Sequence, residues 1–351
     1  MVEFNVDNHK LMLHPERVAE WGERGDCFPV YVEIGPTSAC NHRCVFCALD
    51  FTGYEGKFID RKVMIQTLED MAQAGVKSTM FAGEGEPLLH KDIGLFTQTA
   101  KQSGLDVSMT TNGVPLVKKK MEECLPHLSW IRFSIDSGSP ENYAEVHKTN
   151  PRDFEKVMAN IQGVVRYKET QGLRTTIGTQ FLVIPQNMGE VTKLARRLKD
   201  IGADNIQIKP YSQHPTSINS LCVNPGEYNQ LEEQLLDFDS PEFRVLFRRA
   251  TAERIQSGIP YGQCHGLPFS ALIDTKGNVM PCNLFYDKPE FIYGNLNKQR
   301  FPEIWQGNQR KEVIQKLNEI GCEDCRAGCR LDPINRYLDR LKNPQDHDNF
   351  V

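Results

Sequence analysis

The sequence predicts an α/β fold of parallel βα units, an open sheet or a partial barrel, followed by a smaller C-terminal region of different pattern. Three observations carry this. Six short apolar or β-branched segments alternate with amphipathic helical segments. Gly75, Gly104 and Gly202 stand where helices would end. After Gly262 the alternation stops and cysteines crowd the chain.

The strand segments run Val30 to Gly35, Ser78 to Gly83, Asp106 to Gly113, Trp130 to Asp136, Thr175 to Ile184 and Asn205 to Tyr211. Each is short and bounded by turn residues. The helices between them run Arg61 to Ala74, Ile93 to Gln102, Leu116 to Glu123, Pro151 to Thr170 and Met188 to Asp200. In the last, Val191, Leu194, Ala195 and Leu198 recur at helical spacing. Residues 227 to 258 read as helical. Phe269 to Phe285 then reads as a β-hairpin about Lys276-Gly277-Asn278. Pro302 to Gly321 reads as one helix, and Ile334 to Leu341 as a final short one.

With 39% hydrophobic and 25% charged residues in 351, the chain can bury a large core, which excludes disordered, collagen-like and coiled-coil classes. No run approaches the roughly 18 apolar residues of a membrane span. The N-terminus lacks a basic segment followed by an apolar stretch, so a cytoplasmic protein away from the membrane is expected. A net charge of -5 argues against non-specific nucleic-acid binding. The run Lys118-Lys119-Lys120 reads as a solvated helix face. Eleven cysteines without a secretory signal point to metal rather than to a disulfide framework.

Cys40, Cys44 and Cys47 follow directly on the first strand. Three thiolates in one tight loop can hold a single metal centre. Zinc would require a fourth ligand, and His42 is at hand. A [4Fe-4S] cluster with three protein ligands would leave one iron open to a substrate or cofactor. A second set comprises Cys264, Cys282, Cys322, Cys325 and Cys329, the first two flanking the hairpin. Four thiolates suit zinc or an iron-sulfur cluster equally.

The C-x3-C-x2-C spacing after a first strand, with Phe46 before the third cysteine, resembles the radical S-adenosylmethionine superfamily. Motifs at other strand ends extend the resemblance: Gly85-Glu86-Pro87, Thr110-Thr111-Asn112-Gly113, and Ser134-Ile135-Asp136. They lie where ligands bind in parallel βα architecture, beyond the carboxyl ends of the strands. The resemblance implies a partial (β/α)6 TIM-like barrel. It implies a [4Fe-4S] cluster on Cys40, Cys44 and Cys47 whose open iron chelates S-adenosylmethionine. Phe46, Gly85, Glu86, Pro87, Thr111, Asn112, Ser134 and Asp136 would form the cofactor pocket. Glu86 would face the methionine amino group, and Ser134 and Asp136 the carboxylate and ribose. Here Glu84 stands where the family usually has glycine, which places a second carboxylate nearby.

The later cysteines resemble the auxiliary-cluster extensions called SPASM and Twitch. The full SPASM form carries more cysteines and a further cluster, so the resemblance implies the shortened form with one auxiliary [4Fe-4S]. One of Cys322, Cys325 and Cys329 would then be spare. The expected organisation is an N-terminal extension over 1–29, the barrel over 30–223, a helical linker over 224–260 and the auxiliary-cluster domain over 261–351.

The resemblance implies formation of a 5'-deoxyadenosyl radical that takes a carbon-bound hydrogen from substrate. The expected substrate is small and polar: a sugar, cyclitol or sugar nucleotide, oxidised at a secondary alcohol. The layout is similar to that of the 2-deoxy-scyllo-inosamine dehydrogenases. Lys209, Tyr211 and His214, beyond the sixth strand, are the candidate catalytic polar groups, and Arg132 and Gln180 could also point inward. Cys222, in the loop that follows, is either a hydrogen-atom donor of a radical epimerase or an incidental cysteine. A peptide substrate is the other class, disfavoured because the segment before Cys40 is too short for a leader-binding domain. A flavodoxin- or ferredoxin-like electron donor is the expected partner.

Overall fold

A computed structural model describes residues 7–223 and 225–350. The first six residues of the expected N-terminal extension, residue 224 where the linker was expected to begin, and residue 351 lie outside the described residues. Helix α1 (Pro15–Arg24) precedes strand β1 (Tyr31–Ile34). There follow α2 (Arg61–Gln73), β2 (Ser78–Phe81), α3 (Ile93–Gln102), β3 (Asp106–Thr111), α4 (Lys118–Cys124) and β4 (Trp130–Ser134). Then come α5 (Pro140–His147), α6 (Arg152–Gln171), β5 (Thr176–Val183), α7 (Val191–Ile201) and β6 (Asn205–Pro210). Strands β1 to β6 lie side by side in sequence order, and every neighbouring pair is parallel. This is the α/β partial barrel that the sequence predicts.

The alternation of each strand sorts its side chains. On β1, Val32 and Ile34 are buried, while Tyr31 and Glu33 face the other way. On β4, Ile131 and Phe133 are buried while Trp130, Arg132 and Ser134 are half-buried. The apolar set packs under the helices, with Leu68, Phe96, Ile161 and Leu198 in one continuous core. The polar set lines the lumen. Local signals agree with this arrangement. Asp60 caps α2 by accepting from the backbone N–H groups of Lys62 and Val63, and α6 closes at Gly172 in the left-handed region.

Beyond β6 lie α8 (Pro225–Leu235), β7 (Arg244–Phe247) and α9 (Arg249–Ser257). The expected helical stretch over 227 to 258 is therefore interrupted by a strand. Residues 244 to 247 pair in parallel with β6 and give its open edge the backbone partners it would otherwise lack. The expected hairpin is present as β8 (Ser270–Ile273) and β9 (Asn278–Met280), antiparallel, with the short β10 (Gly294–Asn295) added to β9. Strand β8 also pairs in parallel with β1, so the hairpin extends the barrel sheet and one ten-stranded sheet results.

The expected helix over 302 to 321 is two, α10 (Phe301–Gln306) and α11 (Asn308–Ile320). Gly307 between them is extended, at φ -69° and ψ 156°. Helix α12 (Asp332–Lys342) closes the fold after the last cysteines. Helices α1 and α5 were not anticipated, although each begins with proline at its first position.

Candidate active site

The loop carrying Cys40, Cys44 and Cys47 leaves β1 at the carboxyl end of the sheet and is pinned on several sides. Arg43 and Val45 donate backbone N–H groups to the carbonyls of His147 and Val146 at the end of α5, both at 3.0 Å. Asn112, after β3, donates its side-chain amide to Asn41 Oδ1 at 2.8 Å. All three cysteines are free and partly exposed. Burial pushes the Cys40 thiol up to about 11, and raises Cys44 and Cys47, with neighbouring thiols adding to the rise at Cys44. Thiolates so placed need a cation, and three soft sulfurs in one loop suit an iron-sulfur cluster.

The sulfurs also have donors. His147 Nδ1 stands 3.2 Å from Cys44 Sγ, and the Tyr54 hydroxyl lies close enough to Cys47 to oppose the rise that burial imposes on its thiol. Phe46 packs edge-on against His147 at 5.6 Å between ring centroids. His42, Cys44 and His147 each offer a ligand atom within 4.8 Å of one another. A zinc ion there would leave Cys40 and Cys47 aside, so the alternative of His42 as fourth ligand to the three thiols does not match this grouping.

Gly85 sits where the segment after β1 passes closest. A Cβ on it would lie 2.2 Å from the Thr37 carbonyl oxygen and 2.5 Å from that of Ala39, both backbone atoms. Glu86 is 3% exposed, and its carboxylate is fully engaged. Oε1 accepts from the Thr111 hydroxyl at 2.6 Å and Leu88 N–H at 3.0 Å, and Oε2 accepts from Asn112 N–H at 2.7 Å. The side chain thus ties the turn at Pro87 to the end of β3. Glu84 likewise accepts from Thr275 N–H at 2.8 Å and joins β2 to the C-terminal hairpin.

Ser134 is half-buried at the end of β4. Asp136 is 1% exposed and turned inward: Oδ1 accepts from Leu182 N–H, and Oδ2 lies 3.6 Å from His147 Nε2. Burial pushes its carboxyl up to about 7. The oxygens of Asp136 are turned from solvent: Oδ1 braces β5, and Oδ2 is buried without a hydrogen-bond partner among the described residues.

The lumen holds a cavity of about 670 Å³. Glu33 from β1, Arg132 from β4, Gln180 from β5, and Gln207 and Lys209 from β6 line it. Burial holds the Lys209 ammonium well below its usual value, and Arg248, Arg326, Arg330 and Arg132 lower it further. Those arginines at 248, 326 and 330 were missed by sequence reasoning. They come from segments far apart in the chain, with no local spacing to mark them.

Tyr211, His214 and Cys222 do not line this cavity. Tyr211 donates its hydroxyl to Gln213 Oε1 at 2.5 Å. His214 is buried against the Phe51 ring at 5.5 Å, and burial takes it down to about 4. Cys222 is exposed. The loop between β6 and α8 turns outward to meet the first cysteine loop, where Ser217 donates to the Cys47 carbonyl at 3.1 Å. The turn carries these three side chains away from Lys209.

The second cysteine set converges. Cys264, Cys322 and Cys325 lie close enough to perturb one another, and Cys282 and Cys329 each feel the charge of Cys264 and Cys325. Cys264, Cys282, Cys325 and Cys329 line the lumen cavity. Asn335 on α12 orients Cys264, donating Nδ2–H to its sulfur at 3.2 Å while its Oδ1 accepts from Gly266 N–H at 2.7 Å. Five thiols from a hairpin base and a knot, with an amide donor behind one of them, fit a thiolate-held cluster.

Comparison with known proteins agrees with this construction. Residues 34–198 match the family model of the radical SAM superfamily, and residues 264–330 match that of the SPASM iron-sulfur cluster-binding domain. A GTP 3',8-cyclase of Listeria monocytogenes is 30% identical over 243 residues, which are 63% of this chain and 70% of that one. An S-adenosylmethionine-dependent nucleotide dehydratase of Lacinutrix mariniflava is 34% identical over 112 residues, 30% of this chain and only 23% of that one. SuiB of Streptococcus suis, solved bound to S-adenosylmethionine, superposes with a TM-score of 0.65 at 17% identity, covering 95% of this chain and 79% of that chain. The chain belongs to the radical S-adenosylmethionine superfamily, with S-adenosylmethionine and iron-sulfur clusters as its cofactors and a SPASM region following the barrel.

Proposed function

We propose that the chain acts on a small carbohydrate-like substrate, a sugar, cyclitol or sugar nucleotide, and oxidises a secondary alcohol. S-adenosylmethionine and the first cluster, when bound, would supply the radical chemistry that removes a carbon-bound hydrogen atom, and an auxiliary cluster would supply an electron acceptor. Cys40, Cys44 and Cys47 would hold the first cluster, with His147 and Tyr54 donating to its sulfurs. Gly85 would let backbone approach the cofactor, Thr111 and Asn112 would fix that wall, and half-buried Ser134 would meet the cofactor carboxylate. Lys209, neutral in its cationic surroundings, would take the hydroxyl proton.

One observation carries this reading. A single cavity is lined both by Lys209 and Gln180 and by four auxiliary cysteines. A substrate held there would lie beside a base and an electron acceptor together, which an oxidation needs and a simple hydrogen return does not. The names of the curated relatives, a GTP cyclase and a nucleotide dehydratase, favour small phosphorylated molecules over peptides. A reducing cytosol and a flavodoxin- or ferredoxin-like donor complete the proposal.

The test is anaerobic turnover with sugar phosphates, nucleotide sugars and aminocyclitols, set against a panel of peptides. The proposal expects 5'-deoxyadenosine and a ketone product with a member of the first group. Modification of peptides alone would replace it with the peptide class.

A further inference from the structure

The chain is acidic overall, at -5, yet its lumen is cationic. Seven residues lining the cavity are Lys or Arg, against two carboxylates, Asp7 and Glu33. Three of the arginines have close partners. Arg330 pairs with Glu33, Arg254 lies 3.3 Å from Asp332, and Arg326 donates to the Ser212 carbonyl at 2.6 Å. Two arginines stand apart.

Arg132 has no hydrogen bond or ion pair among the described residues, only the face of the Trp130 ring at 4.5 Å. Opposite it on β5 stands Gly178, where the Asn205 side chain takes the space a Cβ would fill. Arg248 is fixed just past β7 by its backbone N–H, which donates to the Ile208 carbonyl at 3.1 Å. Its buried Nε has no hydrogen-bond partner among the described residues, and the nearest carboxylate oxygen, on Asp7, is 3.7 Å away. Arg248 presses on Arg132, and Asp7 offsets Arg248 only in part, across a long ion pair.

Among the arginines of the cavity, Arg326 feels the Cys329 thiol, whereas no cysteine stands among the groups that act on Arg132 or Arg248. Guanidinium groups that keep free donors have the fork geometry that matches the oxygens of a phosphoryl group.

We infer that the lumen holds a phosphoryl subsite, in which Arg132 and Arg248 clamp a phosphate or diphosphate carried by the substrate. The inference rests on the reading of the cavity as the substrate site. It makes the substrate a phosphorylated sugar or cyclitol or a sugar nucleotide rather than a neutral one. It also couples binding to chemistry. An anion arriving between the arginines would offset the positive field at Lys209 and raise the affinity of its amine for a proton as the substrate hydroxyl is presented.

The experiment is calorimetric titration of the anaerobically reconstituted full chain with inorganic phosphate, inorganic pyrophosphate and glucose 1-phosphate, with glucose and glucuronate as controls. The phosphate-bearing probes are expected to bind and glucose not. Arg132→Gln and Arg248→Gln, checked for unchanged iron content, should each weaken binding at least tenfold. Thermal melts give a second reading that does not depend on affinity. Without anion, Arg132→Gln should melt above wild type, because an unpaired buried cation has been removed, and pyrophosphate should raise the wild-type midpoint more than the variant's. Equal phosphate binding by wild type and both variants, or preference for glucuronate, overturns the phosphoryl subsite. Release of 5'-deoxyadenosine under reductant by a chain that binds no phosphate probe overturns the subsite alone. Phosphate binding lost in both variants, in a chain that releases none, supports the subsite while removing the radical reading.

Discussion

His147 Nδ1 stands 3.2 Å from the sulfur of Cys44. The other ring nitrogen, Nε2, faces the backbone N–H of Asp136 at 3.3 Å and can only accept there. The proton therefore belongs on Nδ1, pointing at the sulfur, and burial holds the ring well below its usual pKa and so neutral. A donor to a cluster sulfur favours the more negative, reduced state and raises the reduction potential. His147→Phe should lower the midpoint of the first cluster by on the order of tens of millivolts and leave the auxiliary cluster where it was. Redox titration followed by electron paramagnetic resonance reads both. Unchanged midpoints would make the contact packing alone.

Glu86 accepts three hydrogen bonds with almost no exposure. In Glu86→Gln an amide NH2 must face a donor, and the Asn112 N–H is the one left unpaired. The cost should be about 1–3 kcal/mol, seen as a melting point lower by several degrees. A melting point equal to wild type would mean the carboxylate does not brace the end of β3.

Lys209 is expected to hold its proton less tightly than other lysines, because burial and four arginines oppose it. The neutral amine is the nucleophile. As pH falls from about 10 to about 8, ordinary lysines should lose acetylation by roughly tenfold per unit, while Lys209 loses less. Peptide mass spectrometry after brief treatment with acetic anhydride measures this. A Lys209 that fades with the surface lysines would be charged, and unavailable as a base.

Cys222 is exposed and outside the cavity lining. Cys222→Ala should leave the reaction rate and product unchanged in deuterated water once the substrate is known. Solvent deuterium at an inverted carbon, lost in the variant, would restore the epimerase with Cys222 as donor.

Strands β1 to β6 were legible because each is a short β-branched run between strong helical periods, and the cysteine spacings are local. What escaped the sequence is non-local. β7 hides between helices, since only the edge of β6 tells Arg244–Phe247 to extend. The parallel pairing of β8 with β1 joins residues more than 200 positions apart, with no signature in either. The side chains of Glu86 and Asp136 lie at the expected strand ends, yet their direction depends on donors from neighbouring strands. Arg132 and Lys209 could be read as inward from alternation, whereas Arg248, Arg326 and Arg330 reach the lumen only through the path of later segments. Tyr211 and His214 follow Lys209 closely in sequence, yet neither lines the cavity, although Ser212 between them does.

The most direct test of two iron-sulfur centres serving one cavity is metal and sulfide analysis of the anaerobically reconstituted chain, alongside cleavage of S-adenosylmethionine under reductant. Wild type should hold about eight iron and eight sulfide and release 5'-deoxyadenosine, and the Cys40→Ala, Cys44→Ala, Cys47→Ala triple variant should keep about four of each and release none. Near-stoichiometric zinc without sulfide, or undiminished cleavage by the triple variant, would contradict the account.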